Sequence, residues 1–137
     1  MEKDKTSYSL EEMQAAFLAG LCDGEACYSI ERRRVRNKKG LIKEYFYPSV
    51  RLAMKSQQTI KTARKMTGFG KVYEQKHGMW LLYLYGDEAK VFFKRVKPYM
   101  VTKKAEAEMV LEFIENGNRE NGREYFEKVR ELKRIPQ

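Results

Sequence analysis

The sequence predicts an α+β fold in which antiparallel β-hairpins pack one face against amphipathic helices. Three features predict it. Ser9 with Glu12 three residues later is a capping box, and it opens a stretch with Leu10, Met13, Phe17 and Leu21 at helical spacing. Two pairs of alternating apolar and polar segments each flank turn-forming residues. The last third of the chain returns to helical periodicity, broken at Gly117.

The elements follow in order. The first helix is expected over about Leu10–Cys22. Asn37-Lys38-Lys39-Gly40 is turn chemistry between strand segments at about 27–36 and 41–55, and Pro48 within the second suggests an edge position or a bulge. A short helix near Thr59–Met66 ends at Gly68. Lys71–Gln75 and Met79–Tyr85 then form a second hairpin about His77-Gly78. Gly86-Asp87 caps a helix carrying Val91, Phe92 and Val96, which stops before Pro98. Two further helices are expected over about 103–115 and 121–134. No repeat or linker divides the 137 residues, so residues 1–137 read as one domain, with a core over about 8–116 and a helical extension over about 117–137.

Composition narrows the function. At 42% hydrophobic, with nine Tyr, seven Phe and one Trp, the chain has enough apolar surface to fold without staples. Cys22 and Cys27 are too few for a disulfide framework, and one histidine leaves no structural zinc set; both thiols read as reduced, half-buried packing residues. No run of about 18 apolar residues exists to span a bilayer, and the start MEKDKTSYS has no apolar segment of the kind a secretory signal needs. A soluble intracellular protein is expected, in a bacterial or archaeal cytoplasm or an organelle, neither secreted nor membrane-bound.

The net charge of +9 favours a polyanionic partner, and its distribution says which part meets it. Residues 1–25 carry −4 and residues 105–137 carry −2, whereas residues 26–104 hold 20 Lys/Arg against five acids. Within that basic middle, period two puts Tyr28, Ile30, Val50, Leu52 and Met54 on one sheet face and Ser29, Glu31, Arg33, Arg51 and Lys55 on the other. A membrane-binding segment is more often a basic amphipathic helix, so basic strands point to nucleic acid.

Along the first helix, Ala16, Gly20 and Gly24 recur at i, i+4 and i+8, flanked by Ala15 and Ala19 and followed by Asp23 and Glu25. Side chains this small let a second helix backbone come close. The segment Leu18-Ala19-Gly20-Leu21-Cys22-Asp23-Gly24-Glu25-Ala26 resembles the nine-residue motif of the LAGLIDADG homing endonucleases, with five of nine positions identical and Glu25 keeping the eighth-position carboxylate. Phe69-Gly70-Lys71-Val72-Tyr73 and Lys97-Pro98-Tyr99-Met100, leading to Lys103-Lys104, extend the resemblance over about residues 8–116. Two departures stand out: Glu lengthens the ligand by one methylene, and Ala26 replaces the final glycine.

The resemblance implies a fold and a chemistry. The fold is an α-β-β-α-β-β-α core with a saddle-shaped antiparallel sheet and C-terminal helices. One motif per chain implies a homodimer whose helices pack along Ala16, Ala19, Gly20 and Gly24, with Asp23 beside them, on a pseudo-palindromic double-stranded DNA. Glu25 and the Gly24 backbone carbonyl would hold Mg2+, and phosphodiesters would be hydrolysed across the minor groove. Gln57 sits where the family places a water-ordering residue, although strand parity equally admits Gln58. Lys103 matches the family's basic residue, with Lys104 and Lys61 as alternatives.

For the DNA itself, the wet face of the first hairpin supplies Ser29, Glu31, Arg33, Arg51 and Lys55. The second hairpin offers Tyr73, Gln75 and His77, with Trp80 and Leu82 as apolar contacts to thymine methyls. Arg32, Arg34, Arg36, Lys38 and Lys39 lie near the hairpin tip and are expected to touch phosphates. The leading expectation is a site-specific, Mg2+-dependent endonuclease of an intron or intein mobility system. The alternatives on the same fold are an intron RNA maturase and a non-cleaving DNA-binding regulator, and Glu25 argues against loss of the acid. A structural RNA-binding protein would explain the charge but not the Gly20/Gly24 face.

Overall fold

The capping box forms: Ser9 Oγ accepts the Glu12 N–H at 3.0 Å and Glu12 Oε1 accepts the Ser9 N–H at 3.4 Å, starting helix α1 (Leu10–Glu25). This computed structural model describes residues 9–101 and 105–134. Helix α1 runs three residues past the expected end, so both carboxylates of the motif lie in its last turn; the Ala26 N–H to the Cys22 carbonyl closes it. Strands β1 (Ala26–Arg36) and β2 (Ile42–Met54) follow, then α2 (Gln57–Thr67), β3 (Lys71–Glu74) and β4 (Trp80–Tyr85). Helix α3 (Asp87–Val96) ends in a 3-10 turn around Pro98, and α4 (Ala105–Asn116) and α5 (Arg123–Arg134) complete the described chain.

The four strands form one antiparallel sheet in the order β1-β2-β4-β3. In the β1–β2 hairpin, Asn37 Oδ1 accepts the N–H groups of Lys39 and Leu41, each at 2.9 Å, which fixes the loop. Strand β2 is central and its register against β1 is unbroken from Ile42 to Leu52, so Pro48 marks no bulge; its edge position is local, on the side where β4 does not reach. A residue's nitrogen and carbonyl point to the same side of a strand. The Pro48 carbonyl accepts the Gly86 N–H at 2.9 Å, so the missing proline donor faces the side where β4 has just ended at Tyr85. The ladder with β1 loses nothing.

All five helices contact the sheet or one another on one side. Tyr28, Ile30, Val50, Leu52, Leu82 and Leu84 from the sheet meet Leu18, Ile60, Phe92, Phe93, Val110 and Val129 from the helices in a single core. Each such large side chain contributes about 1.5–3 kcal/mol by burial. In α3 the core residues are Ala89, Phe92, Phe93 and Val96, and Val91 points outward, one position off the expected stripe. Cys22 is buried, and burial followed by the neighbouring Asp23 charge pushes its thiol up to about 12. Cys27 departs from expectation: it is exposed, and its sulfur accepts from Lys133 Nζ at 3.1 Å. Among the described residues, no helix is long and apolar enough to cross a membrane.

Candidate active site and nucleic-acid interface

Helix α1 has two apolar faces. Ala15, Leu18, Ala19 and Cys22 are buried in the chain's own core. Leu10, Met13 and Phe17 remain 68%, 52% and 46% exposed, and a Cβ built on Gly20 or Gly24 meets nothing within 4 Å. At about 100° per residue, these five residues and Ala16 share one stripe. Ala19, expected on a helix-pairing face, is instead fully buried against the core, because it lies on the opposite side of the helix from Gly20's neighbours Phe17 and Gly24. Asp23 is half-buried, and its Oδ2 accepts the Val101 N–H at 2.9 Å, so it ties α1 to the segment after α3.

Glu25 is exposed at the C-terminal end of α1, where the helix dipole is negative, and no basic residue occupies the last turn. The Gly24 carbonyl lies past the last capping hydrogen bond of the helix, among the acceptors a helix end leaves open. Gln57 and Gln58 open α2 behind Ser56, whose Oγ accepts the Thr59 N–H at 3.1 Å. They are helical, so strand parity does not apply to them. Both line a shallow surface cleft with Lys61, Thr62 and Lys65. Lys103 and Lys104 lie outside the described residues.

The sheet face away from the helices carries Ser29, Glu31 and Arg33 from β1 and Tyr45, Tyr47, Ser49 and Arg51 from β2, as registered neighbours. Lys55 follows just after β2 and is exposed. Lys38 and Lys39 project from the hairpin tip, also exposed. Arg32 and Arg34 do not join them. Successive side chains alternate across a strand, so Arg32 lies over the Phe126 ring at 5.2 Å and Arg34 pairs with Glu44 at 3.3 Å, both on the helix side. Glu44 in turn binds Arg123 of α5 at 2.7 Å. Arg36 shares their parity.

The second hairpin corrects another expectation. Tyr73 pairs with Leu81 and Lys71 with Tyr83, so Tyr73, Leu81, Tyr83 and Tyr85 share the open face. Trp80 and Leu82 face the helices, and Leu82 is a core residue. The turn between the strands sets which residues pair, and that register turns Leu81 rather than Leu82 outward. Gln75 donates its N–H to the Met79 carbonyl at 2.7 Å beyond the end of β3, and His77 stands in the turn with φ 64°. Both are exposed.

Tyr47, Tyr83 and Tyr85 were not expected here, although the parity of β2 alone would have placed Tyr47 beside Arg51. Glu31 is the hub. Its Oε1 accepts from Arg51 Nη2 at 2.8 Å, and its Oε2 accepts the Tyr83 hydroxyl. The Arg51 guanidinium also lies 4.7 Å from the Tyr83 ring centre. Burial first, and then the hydrogen bond to Glu31, raise the Tyr83 phenol well above its usual range, so it stays protonated as a donor. Tyr83 stacks on Tyr85 at 5.0 Å, and Tyr85 accepts from Lys71 Nζ at 3.5 Å.

No protein-family model matches the sequence, and no curated protein does. Solved structures match it well. The homing endonuclease I-CvuI, in complex with the I-CreI target in the presence of Mg, aligns at TM-score 0.71 and 21% identity over 93% of this chain and 86% of that one. The archaeal intron-encoded homing endonuclease I-Vdi141I, complexed with DNA, gives 0.68 and 14% over 93% of this chain and 88% of its own. The LAGLIDADG meganuclease I-AabMI, bound to uncleaved DNA, gives 0.58 and 23% over 90% of this chain but only 44% of that longer one. The four-stranded antiparallel sheet backed by five helices, with Leu18–Ala26 closing the first helix and entering the first strand, is the LAGLIDADG homing endonuclease fold.

Proposed function

We propose that the whole chain, residues 1–137, acts as one site-specific DNA endonuclease domain of the intron or intein homing type. It works as a homodimer on a long pseudo-palindromic duplex. The observation that carries this reading is the exposed stripe of α1: an apolar and glycine surface that no other described residue covers, running into Glu25 where the helix meets the basic sheet. An isologous pairing of this stripe would bury Leu10, Met13 and Phe17, and Ala16, Gly20 and Gly24 would let the two backbones approach. It would also bring the two Glu25 carboxylates together at the two-fold axis.

Glu25 is exposed at the negative end of the helix dipole, and a second Glu25 brought beside it across the two-fold axis would be unfavourable unless a cation offset the pair. The donors are all oxygen, which suits Mg2+. Among the described residues, no group of three or more His, Cys, Asp and Glu side chains gathers to hold a metal. In this reading each protomer offers Glu25 and the Gly24 carbonyl, and the partner copy would supply the same pair. When bound there, the ion would supply an activated water and charge for the departing 3′-oxygen across the minor groove. In this reading Gln57 orders water, and Lys103 stabilises charge on the scissile phosphate.

On the open face, Arg33 reads a base edge, whereas Lys38 and Lys39 at the hairpin tip touch phosphates. Glu31 acts as the anchor that holds Arg51 and Tyr83 in place, since both its oxygens are engaged. Ser29, Lys55, Tyr73, Gln75 and His77 complete the DNA-facing set. The direct test is cleavage of a duplex carrying the empty insertion site of the host gene, with Mg2+ present. Cutting of both strands is expected, and failure to cut any duplex from the host locus would overturn the reading.

Two predictions follow from the division of labour. Lys38→Ala should weaken all duplexes alike and flatten the slope of log K against log salt by about one unit per protomer, whereas Arg33→Ala should relax one base position in each half-site. Identical effects of the two changes on every duplex would contradict that division. Glu31→Gln removes a negative charge from the DNA face and loosens Arg51. Binding to arbitrary duplexes should therefore tighten several-fold while discrimination at the Arg51 position falls. If Glu31 instead read a base itself, the substitution would switch preference at one position and leave arbitrary binding unchanged.

A further inference from the structure

Strand β2 overhangs its neighbour. It runs from Ile42 to Met54, but β4 pairs only with Ser49–Met54, so residues 42–47 have no strand partner on that side. The connection between α4 and α5 covers the overhang: the Arg119 carbonyl accepts the Phe46 N–H at 2.9 Å. This connection is held rigidly. Asn118 Oδ1 accepts the N–H groups of Glu120 and Asn121 at 2.9 and 3.0 Å, and Asn121 Oδ1 accepts that of Asn118 at 2.7 Å. Gly122 lies so close that a Cβ there would stand 2.5 Å from the Phe46 Cβ, so only glycine lets the loop dock.

The product of this packing is a placed cation. The Arg119 guanidinium lies 4.5 Å from the ring centre of Tyr45, which is the registered partner of Arg33. Among the described residues neither Arg33 nor Arg119 forms an ion pair. Together with Tyr47, Tyr85 and Lys90 they line a recess of about 590 Å³ where the open face meets the α4–α5 connection. Among the described residues Asp87 is the one acid lining it, and it sits 3.8 Å from Lys90. The surplus is positive, three tyrosines stand among the apolar walls, and the recess is continuous with the face that carries Arg33.

We infer that this recess is a phosphate clamp, in which Arg119, supported by the charge of Lys90, holds a backbone phosphate of the duplex beyond the stretch read by the sheet. The clamp rests on the duplex-binding reading above. It makes the α4–α5 connection part of the DNA interface and lets Arg119 set where each half-site begins without reading a base. A phosphate contact adds affinity to every sequence and steepens the salt dependence.

The test measures binding of the full chain to a duplex of arbitrary sequence over a salt series. Arg119→Ala should flatten the slope by about one unit per protomer, and Arg119→Lys should retain it. Arg123→Ala removes the same charge from the helix side, where Arg123 pairs with Glu44 and Glu127, and should leave the slope unchanged. Replacing single phosphates by neutral methylphosphonates should reveal one flanking position per half-site that costs the wild type affinity and costs Arg119→Ala nothing. If Arg119→Ala melts like the wild type yet keeps its slope, or if no such phosphate exists, the clamp is overturned while the endonuclease reading stands. If the wild type binds no duplex, both fall.

Discussion

Glu25→Gln is expected to abolish cleavage, by about 10³-fold or more, while duplex affinity stays within about twofold of wild type. The substitution keeps the length and shape of the side chain and removes only the charge that would hold the divalent cation. Glu25 is exposed at the end of α1 and takes no part in the core, so the fold should be unaffected. The measurement is a single-turnover cleavage assay with Mg2+ beside a binding titration on the same duplex. Near wild-type cutting by Glu25→Gln would mean that another residue holds the metal.

Gly20 yields the second large effect, in which stability and activity part ways. A Cβ at Gly20 meets nothing within 4 Å, and Gly is a poor helix former, so Gly20→Ala should stabilise an isolated protomer by about 0.5–1 kcal/mol. Gly20→Leu starts from a Cβ that meets no described atom within 4 Å and fills the surface where a second α1 would approach. It should remain folded by circular dichroism, sediment as a monomer, and cut at least about 10²-fold more slowly, because each protomer then holds half of the metal ligands. A Gly20→Leu protein that still sediments as a dimer and still cuts would remove α1 from the interface. Aggregation without loss of helix content would point to the exposed Leu10, Met13 and Phe17 finding one another in a wrong geometry.

Where the cause is local, the sequence pattern fixes the structure. The capping box at Ser9 and Glu12, the turn at Asn37–Gly40, the stop at Gly68 and the break at Pro98 each act through neighbouring backbone groups, and each lies where expected. The period of two along β1 and β2 gave the correct packing face, with Tyr28, Ile30, Val50 and Leu52 inward. The confinement of the net positive charge to residues 26–104 is likewise a property of the sequence alone.

What tertiary structure alone decided concerns partners distant in sequence. Helix α1 has apolar residues on two sides, and periodicity does not say which side its own core takes; packing against α2, α3 and the sheet took Leu18, Ala19 and Cys22, so Ala19 left the set available to a second helix. The pairing of Tyr73 with Leu81 turned Leu82 inward and brought Tyr83 to Glu31, because a register is set by the turn and the whole ladder rather than by either strand. The parity of β1 puts Arg32 and Arg34 on the helix side, and only the docking of α5 supplied what they meet there: Phe126 beneath Arg32 and, with Arg123, a second cation on the Glu44 that pairs with Arg34. Arg119 reached the open face only because β2 outruns β4 and leaves a backbone donor for a distant loop to satisfy. The sequence by itself determined the order of elements, the acid that follows the small-residue face of the first helix and the net positive charge of the middle of the chain. Which side chains stand together on that surface was decided by hydrogen bonds and contacts between residues tens of positions apart, which no local pattern encodes.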